Sequence, residues 1–315
     1  MAQIVVIRSL FVPHLFVIFF VLFSLGCQSK PTPKAPTAKA STALHIGEVD
    51  VHPLTLPALD AKMVPGAEEI KALAIKQIKA HDEQFTYQPK DKPRHLLRVQ
   101  FTGQSRPVHD QTRVVAMSWR CMLNEQPTMG QSTLPTAQGK LVRHVVPVSK
   151  QKTIQPFPKV EMVDALNKDV QDATSKCIQS LAQQWQVRQA DAAKLGQIDV
   201  SAFSAEAASQ WLERVRGEKL KQHSQGVRKL LKHAEPRVVL LAMSIVVQFK
   251  DMGADALMVE AASTLSQNQQ GPAYSAALYQ IGALNGPEGR RYLQTIIDSH
   301  TNKAFGKVAR EALRP

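Results

Sequence analysis

Apolar positions recur along the chain with two different periods, and the change between them divides the sequence. Residues 44–51 (LHIGEVDV) read as a short strand. Over 66–81 (GAEEIKALAIKQIKAH), Ile70, Leu73, Ala74 and Ile78 fall at helical spacing and predict an amphipathic helix. The stretch 95–102 (HLLRVQFT) alternates, with Leu97, Val99 and Phe101 on one face against Arg98 and Gln100 on the other. The run 113–123 does the same with Val115, Met117, Trp119, Cys121 and Leu123. A polar connection holding Pro127, Gly130, Pro135 and Gly139 leads into 140–148 (KLVRHVVPV). Residues 160–186 predict a long helix with Val163, Leu166, Val170, Ala173, Cys177 and Leu181 along one side. The order β-α-β-β-β-α predicts an α+β layer domain over 43–190, with helices covering one face of a mainly antiparallel sheet.

From 204 to 315 the pattern is helical throughout. Residues 239–253 (VLLAMSIVVQFKDMG), 274–286 (YSAALYQIGALNG) and 306–314 (GKVAREALR) each set an alanine among larger apolar residues: Ala242 with Val246 and Phe249, Ala277 with Ile281 and Leu284, Ala309 with Leu313. The offsets of roughly 32–35 residues are those of a repeat array. The stretch ALYQIGALNGPEGRRYLQTII (277–297), broken at Gly286-Pro287 and preceded by Gly271-Pro272, resembles bacterial HEAT-like repeats. That resemblance implies stacked helical hairpins and a curved surface for binding another protein. The element order of the first domain is similar, as topology alone, to small envelope lipoproteins such as the lipopolysaccharide-transport lipoprotein and penicillin-binding-protein activators.

The first 26 residues have the parts of an export signal: a polar start with Arg8, the apolar run LFVIFFVLFSL (15–25), and Gly26. The run is shorter than the roughly 20 apolar residues that cross a bilayer. Ser24-Leu25-Gly26-Cys27 resembles the lipobox of bacterial lipoproteins, with serine and leucine in exchanged order. The resemblance implies cleavage before Cys27, diacylglycerol on its sulfur and acylation of the new amino terminus. Multiple acyl chains would anchor the protein stably. Gln28 is not the aspartate that retains such proteins in the inner membrane, so the resemblance implies an outer-membrane, periplasm-facing address. Residues 27–42 then form a lipidated cysteine and a Pro-, Lys- and Ala-rich disordered tether, whose 15 residues after Cys27 reach roughly 50 Å when stretched.

Charge changes the picture of partners. The net charge is +13, with 39 basic and 26 acidic residues. Such a balance favours anionic surfaces, and for an exported protein these are lipid or lipopolysaccharide rather than nucleic acid. The segment 214–237 holds Arg214, Arg216, Lys219, Lys221, Arg228, Lys229, Lys232 and Arg237 against Glu218 and Glu235, a candidate contact for such a surface. Aromatic residues make up 6%, which disfavours a stacking groove. Cys121 and Cys177 both fall on buried faces, where an oxidising compartment would allow either a disulfide or two separate buried thiols.

No catalytic, cofactor or metal motif is present: no His-Glu-x-x-His, glycine-rich phosphate loop, Gly-x-Ser-x-Gly or paired-cysteine site. The pairs His81-Asp82 and His109-Asp110 lack a nucleophile at a matching distance, and His223 and His233 lie on different faces of basic helix. The expectation is a tethered, non-enzymatic envelope protein that binds a partner protein through its repeats. A lipid- or lipopolysaccharide-handling factor is the second reading. An enzyme whose site would lie near the loop 124–139 is the third.

Overall fold

The computed structural model describes residues 43–54, 64–89, 95–109, 112–125, 135–145, 159–299 and 302–314. Residues 1–42, where the export signal, the lipidated Cys27 and the tether are expected, lie outside the described residues. The architecture is the expected α+β, a sheet with covering helices followed by an all-helical region.

β1 (Leu44–His52), α1 (Ala67–Ala80), β2 (Phe85–Tyr87), β3 (His95–His109), β4 (Thr112–Glu125), β5 (Thr136–Val145) and α2 (Lys159–Gln189) build the first part. The sheet order is β2-β1-β3-β4-β5. β3, β4 and β5 are antiparallel neighbours. β1, however, runs parallel to both β2 and β3, with Leu44 beside Phe85 and Val49 beside Leu97. The sheet is thus mainly antiparallel, as expected, through the long pairings of β3, β4 and β5, while β1 is parallel to both of its neighbours. Alternation reports which face a residue takes, not which way its strand runs. Here α1 carries the chain back along the sheet so that β2 enters in the direction of β1.

One face of the sheet is covered by α1 and α2. Val99, Phe101, Val115, Met117, Cys121 and Leu123 meet Ile70, Ala74 and Ile78 of α1 and Val170, Ala173, Ile178 and Leu181 of α2 in one buried cluster. Cys121 on β4 and Cys177 on α2 are joined in the structure, their Cα atoms 6.0 Å apart. α1 starts with Glu68 and Glu69 in its first turn, where acids complement the free N–H groups, and the Glu69 carboxylate accepts from the Gly66 N–H at 3.1 Å.

The second part comprises α3 (Ala192–Leu195), α4 (Ala205–Gly217), α5 (Ser224–Leu230), α6 (Pro236–Phe249), α7 (Asp255–Gln267), α8 (Gly271–Leu284), α9 (Pro287–Asp298) and α10 (Lys303–Ala312). From α5 onward consecutive helices pack on one another, and helices also meet the next but one: α4 lies on α6, α6 on α8 and α8 on α10, while α7 lies on α9. Two layers of helical repeats result. Ala242, Ala277 and Ala309 are fully buried at the approaches within the first layer, where a larger side chain would hold the helices apart. Prolines in the first turns of α6, α8 and α9 cost no internal hydrogen bond. Lys250 and Asn285 end α6 and α8 in the same left-handed conformation, φ 54° and 60°.

A buried carboxylate ties the two helices of the second layer together. Asp255, at the start of α7, is only 4% exposed and accepts from the N–H groups of Glu288 (2.8 Å) and Gly289 (3.1 Å) at the start of α9. Position 289 must be glycine for this approach, since a Cβ there would lie 2.8 Å from the Asp255 carboxylate.

Candidate functional site

Where the two parts meet, α2 is the common element. Its Gln183 side chain donates to the Ala202 carbonyl (2.9 Å) and accepts from the Ser204 N–H (2.9 Å). Ser180 and Ser204 share a hydroxyl–hydroxyl bond of 2.6 Å, and the Ser204 hydroxyl also accepts from the Ala207 N–H, capping α4. These bonds hold the start of α4 beside β5, the outer strand of the sheet.

Between them opens a cleft of about 1070 Å³. Its sheet side is made by Gln100, Thr102, Ser118, Arg120, Gln138 and Lys140, and its far side by Lys176, Gln179 and Gln183 of α2 with the segment Ala202–Glu206, Glu235 and Arg237. The sheet residues share one face, because Thr102 is paired with Ser118, and Arg120 with both Gln100 and Gln138. Thr102 and Ser118 exchange a side-chain hydrogen bond of 2.6 Å. Amides, hydroxyls and cations thus dominate the wall.

Trp119 is the aromatic exception. It points to the helix-covered side, opposite its neighbours Ser118 and Arg120, and its indole lies across Gly139 on β5. Any Cβ at 139 would collide with that ring, so glycine lets the indole reach the cleft, where it is half-buried. Arg237 is bound by Glu206 at 3.0 Å. Among the described residues Arg120, Lys140 and Lys176 have no acidic partner, which leaves the cleft cationic.

The basic segment 214–237 is largely paired with acids of the protein itself. Arg214 donates to the carbonyls of Val187 (2.6 Å) and Ala190 (2.8 Å), capping the end of α2, and also pairs with Glu218. Arg216 pairs with Glu213, Lys229 with Asp199, Lys232 with Glu260 and Arg237 with Glu206. Arg228 holds Asp251 with two bonds, and that carboxylate pushes its pKa up. Asp199 is held below the usual carboxylate range, first by its bonds from Ser201 and then by Lys229. Lys219 and Lys221 have no acidic partner among the described residues. Arg228, Lys229 and Lys232 line a smaller hollow of about 460 Å³, but each meets its own acid there.

The histidines singled out in the sequence serve local structure. His223 Nε2 bonds the Ala192 carbonyl at 2.8 Å and His233 Nε2 the Phe203 carbonyl at 3.2 Å. His81 ends α1, and burial lowers its pKa. Asp110 lies outside the described residues, as does most of the loop 124–139, whose last residues from Thr136 belong to β5. Among the described residues no group of three or more His, Cys, Asp or Glu is placed to hold a metal ion, and no helix is long and apolar enough to cross a membrane. Sequence reasoning missed the cleft. Its one visible trace was the polar face of the alternating strands, which reads equally well as a solvated surface.

No family model matches the sequence, and no curated protein does. The chain is similar to a solved structure of a minor lipoprotein from Acinetobacter baumannii, at 11% identity and a TM-score of 0.26, over 45% of this chain and 91% of that one. It is also similar to the solved structure of an uncharacterized protein, at 11% identity and a TM-score of 0.22, over 43% of this chain and 92% of that one. Similarities at this level carry no argument about what the protein does.

Proposed function

We propose that the protein is an envelope lipoprotein, anchored through lipid on Cys27, whose folded part binds a partner protein and has no catalytic activity of its own. The observation that carries the binding half is the cleft beside β5: wide, open, lined by amides, hydroxyls and cations, and bordered by a strand edge. Such a lining suits recognition of a polar surface or chain segment, and the two-layer helices extend the available surface. The address rests on the export signal and Ser24-Leu25-Gly26-Cys27. The full-length protein, expressed in a bacterium with an outer membrane and crosslinked there, should yield one reproducible protein adduct. Mass spectrometry should find the mature chain beginning at an acylated Cys27. An unmodified amino terminus would remove the anchor, and the absence of any reproducible adduct would remove the partner.

Lipid handling is supported less well. Six of the eight basic residues proposed to face lipid are occupied by acids within the protein itself.

A further inference from the structure

β5 is the last strand of its sheet, so one side of its backbone is not used by β4. Which residues face outward follows from the hydrogen bonds. The Pro135 carbonyl accepts from the Leu123 N–H and therefore faces β4. The next carbonyl, that of Thr136, faces away and accepts from the Gln184 side chain of α2 at 2.8 Å. Strand geometry repeats every second residue, so Gln138 and Lys140 also turn their N–H and C=O groups away from β4. Among the described residues no backbone group bonds them on that side. α2 thus closes the edge at Thr136 and leaves it open from Gln138 onward, and both open residues line the cleft.

An unpaired strand edge is a template for another strand about 4.8 Å away. Most exposed edges carry lysine or other charges that discourage such pairing, and Lys140 alone would fit that role. Two further observations point to use. The Trp119 indole, passed over Gly139, gives an apolar seat beside the open edge where a side chain of an added strand would rest. Arg120, Lys140 and Lys176 surround the same edge without acidic partners among the described residues. Backbone donors and acceptors, one aromatic seat and unneutralised cations together define an extended, acidic peptide.

We propose that β5 takes up an extended acidic segment of the partner protein by strand addition, a reading that rests on the partner-binding function above. The backbone of Gln138 and Lys140 supplies the hydrogen bonds, Trp119 the apolar contact, and Arg120, Lys140 and Lys176 the charge selection.

The test uses the full folded chain and a fluorescent eight-residue peptide of alternating valine and glutamate, with three controls: the same peptide N-methylated at one or at the other set of alternate amides, and one with lysine in place of glutamate. The acidic peptide should bind, and N-methylation in the register that blocks the edge should weaken binding roughly tenfold or more. The lysine peptide should not bind. Gln138→Pro removes an outward N–H while sparing the ladder to β4, a position where proline is tolerated, and should cause a similar loss. Arg120→Glu with Lys140→Glu should reverse the preference between the two peptides. Equal binding of the N-methylated peptide in both registers, or equal displacement by dextran sulfate on wild type and Gln138→Pro, would overturn the proposal in favour of a general polyanion site. So would failure of wild type to bind the acidic peptide. A crosslinked partner recovered alongside that failure would leave partner binding standing and remove only the strand-addition route.

Discussion

In the sheet half, β3, β4 and β5 pair in chain order, but β1 and α2 are joined to residues distant in sequence. Leu44 lies beside Phe85, Val49 beside Leu97, and Cys121 is joined to Cys177 across 56 positions. In the helical half, each helix finds its support one hairpin along: α6 on α8, α8 on α10, and Asp255 on the first turn of α9. The first arrangement closes long loops before it gains contacts, whereas the second adds one unit at a time. The two therefore depend on different kinds of fastening. The sheet half has a covalent bond between its strand and helix layers. The helical half uses buried polar caps and ion pairs between successive turns, such as Asp255 and the Arg228–Asp251 pair.

Breaking the covalent fastening should show the largest effect. A crosslink spanning 56 positions removes loop entropy from the unfolded chain worth about 4 kcal/mol on the chain-entropy account. Cys121→Ala with Cys177→Ala should lower the urea midpoint by a corresponding amount. Hydrogen exchange should accelerate in β3, β4, β5 and α2, and much less from α6 to α10. Uniform acceleration across both halves would mean that they unfold together, with α2 transmitting the loss, and the contrast would collapse.

Asp255→Ala tests the other side. It leaves two N–H groups at the start of α9 without an acceptor in a buried place, at a cost of about 2 kcal/mol. Exchange should rise in α7 and α9 while the sheet is spared. Asp255→Asn keeps one acceptor oxygen in place and should lose roughly half as much. A loss from Asp255→Ala spread evenly into β3 and β4 would contradict a locally fastened array.

The same contrast explains what could be read from the chain. α6, α8 and α10 were visible because an alanine among larger apolar residues, and a proline at the following start, are signals contained within a few turns. The burial of Leu97, Val99 and Phe101 was visible for the same reason, since alternation is local. The direction of β1 was not. Nor was β2, because three residues are too few to show a period. The pairing of the basic segment was not visible because its acids are elsewhere in the sequence: Asp199, Glu206, Asp251 and Glu260 come from outside it. The cleft draws on positions from Gln100 to Arg237, each unremarkable where it stands. The connection assigned to 124–139 also concealed the start of β5, since Pro135 and Gly139 read as loop punctuation. In the fold Pro135 precedes the strand and Gly139 makes room for Trp119.

A smaller effect refines the comparison through pH. His81 ends α1 in the sheet half, and burial holds its pKa below the ordinary value of 6.5. The folded state therefore keeps the ring neutral at a pH where the unfolded chain already binds a proton. Its contribution is fully present above 6.5 and declines as pH falls from there through the lower folded value. Melting curves between pH 7.5 and 5 should thus show stability lost from the sheet half, and His81→Gln should flatten that part of the profile. If His81→Gln left the profile unchanged, α1 would not be the element through which acid loosens the sheet, and the pH sensitivity would have to be sought on the other side of α2.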